Sequence, residues 1–466
     1  MSGSFLFPDL ADRMGWDDRL TALLAAAEER MAHGPVAPTI DVDALRTDLV
    51  SFDFHEPRPF GDLLSWTIDQ MEHGLVHLNH PRYLGLFNPA PTFPSQVADR
   101  IVATFNPQLA TATTSPAAVE IEAHVTRSIA RRVGLGAQAV GHFTSGGSEA
   151  NYTALVCALT QSNPDFATFG SRAFSGQPTF YISNDSHLAW IKIAHQAGIG
   201  RVAARLVATD GTGRMSADAL AEAVEADRAI GCVPVMVVAT AGTTNAGMID
   251  PLQSCAEIAR GAGLWYHVDA AWGGALIAST RLCSRLAGIE KADSVTIDAH
   301  KWFATTMGCG IFLTRHAPML SAAFNVSASY MPSNVATRDP YMMTAQWSRR
   351  FLGLRLFLSL AAAGWAGYAA LVERAIELID LLRENVEKRG WSVVNEPSLA
   401  VACMTPPPGS RQVRDIVKRA VSSGGTWVSV AMFEGREVVR ACVTHGGTTP
   451  ADIVAVAHVL EEARRG

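Results

Sequence analysis

The stretch Ser294-Val-Thr-Ile-Asp-Ala-His-Lys-Trp302 decides how this chain is read. Val295, Thr296 and Ile297 form a β-branched run of the kind found in strands buried on both faces. Asp298 closes the run, and Lys301 follows a histidine and precedes Trp302 and Phe303. Lysine ordinarily sits on a solvated face. At the end of a buried strand, among aromatic residues, it loses hydration, which disfavours the ammonium and makes the neutral amine accessible. A neutral amine forms Schiff bases with aldehydes. The stretch predicts a buried strand that delivers a nucleophilic lysine, and the partners of an aldehyde cofactor are expected elsewhere in the chain.

Similar runs recur outward from this one, at 179–183, 202–207, 233–240, 265–269 and 310–314. Helical segments at 217–228 and 251–262 separate them. Alternating strands and helices imply an α/β fold with a mostly parallel sheet covered on both faces. Ligands of such sheets sit at the carboxyl ends of the strands. Residues 1–75 read as an amphipathic helical arm, 76–349 as the large domain and 350–466 as a small α+β domain. Short strands are expected in that last part at 391–394, 400–404, 426–431 and 438–444. The apolar stretch 351–371 is long enough for a bilayer. Arg355 lies inside it and Arg349 and Arg350 precede it, so it is expected to be a buried helix.

The chain has 466 residues, 48% of them hydrophobic and 18% charged, with a net charge of −6. The low charged fraction fits a protein that buries much of its surface, for example between subunits. No basic excess points to nucleic acid. Seven scattered cysteines without a CxxC pair indicate neither a disulfide framework nor a metal site. The N-terminal stretch has no basic region followed by an apolar run, so a cytoplasmic protein without a membrane segment is expected.

Other segments carry chemistry. Thr144-Ser-Gly-Gly-Ser-Glu-Ala-Asn151 opens a helix, where Gly146, Gly147 and Ser148 suit a phosphate at the helix N-terminus. A plain N-cap explains the same residues equally well. Asp269 ends the run 265–269, and a carboxylate there is costly unless it meets a cation or several donors. It reads either as a strand-end turn or as the partner of a protonated pyridine nitrogen. His187 follows the strand at 179–183, as polar surface or as a ring that stacks on a flat cofactor. Thr243 and Thr244 close another strand, as an ST-turn or as hydroxyls that hold a ring substituent.

Strand-end groups around a phosphate cradle describe a pyridoxal phosphate pocket. The chain resembles the group II pyridoxal-phosphate-dependent amino acid decarboxylases, which include the aromatic amino acid and glutamate decarboxylases. The motifs HPRYLG (80–85), TSGGSEAN (144–151), SH (186–187), ATAGTT (239–244), HVDAAWGG (267–274) and DAHKW (298–302) carry the resemblance. It implies an aspartate-aminotransferase-like fold of type I and a homodimer with its active site at the interface. It implies that Lys301 is the Schiff-base lysine, that Asp269 faces the pyridine nitrogen, that Ala271 lies beneath the ring and that His187 stacks on it. Gly146, Gly147, Ser148 and His300 fall on the phosphate side, and Thr244 near the ring hydroxyl. Arg440 matches an arginine that reaches the substrate carboxylate; a structural ion pair is its other reading. Asp298 departs from the family, which often has asparagine there. An acid beside a phosphate is repelled, so Asp298 is expected to face a backbone or serine donor. Tyr341, or alternatively Tyr330, is the candidate for the loop tyrosine that reprotonates the substrate carbon.

The reaction so implied is decarboxylation of an L-amino acid to the amine and carbon dioxide. Leu86, Phe87, Asn88, Gln108 and Ala110 match the side-chain pocket. Apolar Leu86 disfavours glutamate, and the set favours an aromatic or apolar substrate. The alternatives are aldehyde synthesis, carbon–carbon lysis, transamination, or a non-catalytic interaction protein on the same fold.

Overall fold

A computed structural model describes residues 6–326, 339–396 and 399–465. The large sheet contains β1 (Val140–Thr144), β2 (Pro178–Ser183), β3 (Ala204–Val207), β4 (Val233–Thr240), β5 (Trp265–Asp269), β6 (Ser294–Asp298) and β7 (Gly310–Thr314). Its order is β1-β7-β6-β5-β4-β2-β3. Neighbours from β6 through β3 run parallel, whereas β7 is antiparallel to both β6 and β1. Two successive reversals give β1 the same direction as β6. The carboxyl ends of β1, β2, β4, β5 and β6 therefore share one edge of the sheet, where parallel sheets bind ligands. Every residue of β2, β5, β6 and β7 is buried, as their unbroken composition predicts.

Of the expected strands, those at 233–240, 265–269, 294–298 and 310–314 match the structure's bounds. The run at 202–207 is shorter as a strand, because residues 201–203 form a 3-10 turn. β1 was not anticipated. Its Gly141 and His142 interrupt the apolar pattern, and its pairing partner β7 lies far along the chain, with Val140 opposite Thr314 for example.

The small sheet, β8 (Ser392–Val393), β9 (Val401–Thr405), β10 (Ser429–Phe433) and β11 (Arg436–Cys442), has the order β10-β11-β9-β8 and is antiparallel throughout. Cys442 N–H donates to Leu84 O (2.8 Å) and Leu84 N–H to Trp427 O (2.9 Å), which ties this sheet to the segment around residue 85.

The helix Gly353–Glu387 corrects one expectation. Its most apolar window is only 22% buried. A positive φ of 63° at Gly364 kinks the helix, and the small residues 361–364 before and at the kink are exposed. Its first turn is buried. There Arg355 donates to Asp99 (2.8 Å) and to the carbonyls of Thr306, Met307 and Gly308. A charge inside the apolar stretch is thus an internal ion pair. The N-terminal helix Leu10–His33 buries only Ala27, and Leu10, Met14 and Leu24 are exposed.

Candidate active site

The turn after β6 positions Lys301. Asp298 N–H donates to Ala271 O (2.9 Å), Lys301 N–H to Asp298 O (3.2 Å) and His300 N–H to Cys309 O (3.1 Å). Gly310 begins β7, and a Cβ there would lie 2.7 Å from Gly146 Cα. Only glycine lets the end of β1 and the turn that follows approach so closely. The result is a cavity of about 310 Å³ bordered by Gly146, Gly147, Ser148, His187, Thr244, Asp269, Ala271, Asp298, His300 and Lys301. Every residue expected on the cofactor side therefore borders one cavity.

Lys301 differs from its expectation. Its Nζ lies 3.0 Å from Asp298 Oδ2, an ion pair rather than a wholly apolar setting. It also sits 5.9 Å above the Phe87 ring. Spacing along a strand does not reveal this pairing, because the chain must turn after Asp298 before the two side chains meet.

Asp269 receives three donors: Asn151 Nδ2 (2.8 Å), Trp190 Nε1 (3.3 Å) and the Ala271 N–H (3.2 Å). A directed chain of hydrogen bonds stands behind the first. Trp265 Nε1, a donor only, meets Ser294 Oγ at 2.8 Å. Ser294 Oγ then donates to His267 Nδ1 (2.8 Å), and His267 Nε2 donates to Asn151 Oδ1 (3.1 Å). That leaves the Asn151 amide nitrogen to face Asp269. The order requires neutral His267, and burial pushes its pKa down to about 4. Asn151, Trp190, His267 and Ser294 escaped the sequence reading. Asn151 and His267 sit inside quoted motifs, but the contacts that give them a role span more than a hundred residues. Asn151→Ala is expected to leave the fold intact and to lower turnover about tenfold, through loss of one buried hydrogen bond to a charged group. Steady-state kinetics with circular dichroism checks it, and unchanged turnover contradicts it.

The same burial makes stability depend on pH. His267 and His142 are both fully buried and titrate at about 4 and about 3. Their unfolded forms take up protons near pH 6.5. The unfolded chain therefore binds more protons as the pH falls below 6.5, and folding loses up to about 1.4 kcal/mol per histidine per pH unit. The contribution is complete above pH 6.5 and drains away toward pH 4. Denaturant midpoints measured from pH 7 to 4.5 should fall, and less steeply in His267→Gln. A flat wild-type profile contradicts this.

The helix Gly147–Ser162 starts at the cavity. Glu149 reaches back to the Ser145 N–H (2.7 Å) and is held by Gln346 Nε2 (2.8 and 2.9 Å). Glu149 N–H and Ala150 N–H donate to Gly146 O. Among the described residues no hydrogen bond takes up the N–H groups of Gly147 and Ser148, so an anion can be cradled there. His187 Nδ1 accepts from the Ala189 N–H (3.1 Å), which fixes the ring orientation. Thr243 Oγ1 accepts from the Met248 N–H (3.0 Å) and holds the turn, whereas Thr244 borders the cavity.

Arg440 reaches over from β11. Its Nε donates to Thr244 O (2.8 Å), another nitrogen donates to Gly85 O, and Nη2 has no hydrogen-bond partner among the described residues. The structural-ion-pair reading finds no carboxylate here; the contacts are carbonyls. The guanidinium covers one face of Phe87 at 4.6 Å. Phe87 stacks on Trp272 (4.1 Å, 15°) and Trp272 on Trp302 (4.7 Å, 13°). Of the other pocket residues, Leu86 is exposed and Asn88 Nδ2 meets Met307 Sδ (3.2 Å).

Gln108, Ala110 and Tyr341 form a separate group and border no part of the Lys301 cavity of their own chain. Tyr341 N–H donates to Ala110 O (3.1 Å), Gln108 Nε2 to Ser348 Oγ (3.0 Å), and the buried Tyr341 ring packs on Trp347 (4.6 Å). Tyr330 lies outside the described residues.

Comparison with known proteins agrees with this geometry. The apo form of mouse CSAD superposes with a TM-score of 0.92 at 26% identity, over 98% of this chain and 99% of that one. The fold is that of the type I pyridoxal phosphate enzymes. Residues 54–405 match the family described as "Pyridoxal-dependent decarboxylase conserved domain". L-2,4-diaminobutyrate decarboxylase of Rhizobium meliloti is 33% identical over 338 residues, covering 71% of this chain and 66% of that enzyme. Aromatic-L-amino-acid decarboxylase of Bacillus atrophaeus is 27% identical over 440 residues, covering 91% and 89%. The chain belongs to the pyridoxal-dependent decarboxylase family, whose named members here are carboxy-lyases, and pyridoxal phosphate is its cofactor. The residues present suit that group: an amine at Lys301, a carboxylate with converging donors at Asp269 and open N–H groups at Gly147 and Ser148.

Proposed function

We propose that this protein decarboxylates an L-amino acid with an aromatic or apolar side chain, releasing the amine and carbon dioxide. The observation that carries the reading is the convergence of Lys301, Asp269, His187 and the start of the Gly147–Ser162 helix on one cavity. When bound, the cofactor supplies an electron sink, and the protein decides which bond aligns with it. Lys301 holds the cofactor through its amine and releases the product. Asp269 would favour a protonated ring nitrogen, and His187 and Ala271 border the space that the ring would take. Arg440 would orient the substrate carboxylate with Nη2, which has no hydrogen-bond partner among the described residues. Phe87 and Trp272 border the cavity as an apolar wall, backed by Trp302, which supports an apolar or aromatic substrate. The relatives act on unlike side chains, as their names state, and do not decide among them.

The reading includes a homodimer in the cytoplasm. Exposed apolar residues on the N-terminal arm and on the helix Gly353–Glu387 support a partner subunit. Gln108, Ala110 and Tyr341, remote from their own Lys301 cavity, would then complete the partner's cavity. All seven cysteines are free thiols, consistent with a reducing compartment. A fully active monomer in analytical ultracentrifugation would overturn the dimer.

Oxidative conversion to an aldehyde, with molecular oxygen as the oxidant, is the second reading. It holds if Tyr341, buried against Trp347, reaches neither the cavity of its own chain nor that of a partner. A panel of L-amino acids assayed for amine, aldehyde and carbon dioxide separates the two. Carbon dioxide with equimolar amine from an aromatic amino acid is expected; no carbon dioxide from any substrate sinks both.

A further inference from the structure

Asp298 is a carboxylate in the wrong place for a phosphate enzyme. It is 3% exposed, with Oδ2 3.0 Å from Lys301 Nζ and 3.9 Å from His300 Nε2. Its Oδ1 is buried and has no hydrogen-bond partner among the described residues, so the serine or backbone donor expected for its side chain is not found. A Cβ on Gly147 would lie 2.9 Å from Oδ2 and 3.2 Å from Oδ1, which sets the carboxylate flush against the helix turn proposed to cradle the phosphate. The other charged groups nearby are committed elsewhere. Glu149, on that same turn, is held by the Ser145 N–H and Gln346. Asp269, at the end of β5, is held by Asn151, Trp190 and the Ala271 N–H. Lys301 is therefore the near counter-ion of Asp298.

Cofactor binding alters both sides of this balance. The aldehyde takes the Lys301 amine, and a phosphate dianion arrives at Gly147 and Ser148. An ionised buried carboxylate next to a dianion is strongly disfavoured. A protonated carboxyl has a hydrogen to give, and phosphate is acceptor-rich. We propose that one proton from solvent enters the contact between Asp298 and the phosphate when the cofactor binds and is held there as a hydrogen bond between the two, so that cofactor affinity falls as the pH rises. One O–H bond forms within that contact, and no other bond changes at Asp298. The inference rests on the assignments of Lys301 and of the 146–148 turn made above.

The test compares pyridoxal phosphate with pyridoxal, which has the aldehyde but no phosphate, on the apoenzyme. Affinity is read from quenching of tryptophan fluorescence between about pH 6.5 and 8.5, for wild type and Asp298→Asn. The wild-type dissociation constant for pyridoxal phosphate should rise with pH more steeply than the variant's, by up to about tenfold per pH unit. The variant should bind it more tightly at the alkaline end. With pyridoxal the two proteins should show parallel profiles. Parallel profiles with pyridoxal phosphate as well, or weaker binding by the variant at every pH, overturn the proposal. A measurement on wild type alone guards against a variant that does not fold. Near pH 8, in weak buffer with an indicator dye, pyridoxal phosphate should bring about one more proton per site into the protein than pyridoxal does. Equal uptake overturns the proposal. If pyridoxal phosphate binds without developing a visible band, the Lys301 assignment falls and this inference with it; a normal band with equal uptake removes this inference alone.

Discussion

Lys301→Ala should lose at least about 10⁴-fold in turnover, the scale seen when a covalent catalytic group is removed. No other group near the cavity can replace it. The chain has five lysines, Lys192, Lys291, Lys301, Lys388 and Lys418, and of these only Lys301 borders the cavity. The variant should also bind the cofactor reversibly, without the band of a lysine-bound form. Without the covalent link to the amine, the variant should hold pyridoxal phosphate more weakly as well. Wild-type turnover in this variant would contradict the assignment.

Asp269→Asn should lower the rate by about 10²–10³-fold, comparable to the removal of one well-placed electrostatic group from an active site. The substitution conserves size, so the cavity should persist. It replaces an acceptor that receives three N–H groups by an amide whose NH₂ must face at least one of them. The site therefore loses both the charge that favours a protonated ring nitrogen and part of the hydrogen-bond chain from Trp265 through Ser294, His267 and Asn151. The defect should appear in kcat more than in KM, because the ring nitrogen matters most when charge develops during bond breaking. A variant with unchanged kcat would show that Asp269 is a structural strand-end residue.

These two residues were legible in the sequence because Asp269 ends a buried strand and Lys301 follows one within three residues, where a charge has few bland explanations. The parallel strands were legible for the same reason: burial on both faces leaves an uninterrupted run, as in β4, β5 and β6. β1 was hidden because Gly141 and His142 break that pattern. The support of Asp269 was hidden for another reason. Asn151 and Trp190 reach it across 118 and 79 residues, and a hydrogen bond between distant side chains leaves no periodic trace. The pairing of Lys301 with Asp298 depends on the turn that follows β6, which strand periodicity does not describe. The exposed middle of the helix Gly353–Glu387 was misread as buried because an apolar face looks the same in sequence whether or not its own chain covers it.

The most direct measurement is borohydride reduction of the cofactor-loaded protein, followed by peptide mapping of the pyridoxyl label. The account predicts bleaching of the visible band and a single label on Lys301. A label on Lys192, Lys291, Lys388 or Lys418, or no label on a protein that still turns over substrate, would contradict it.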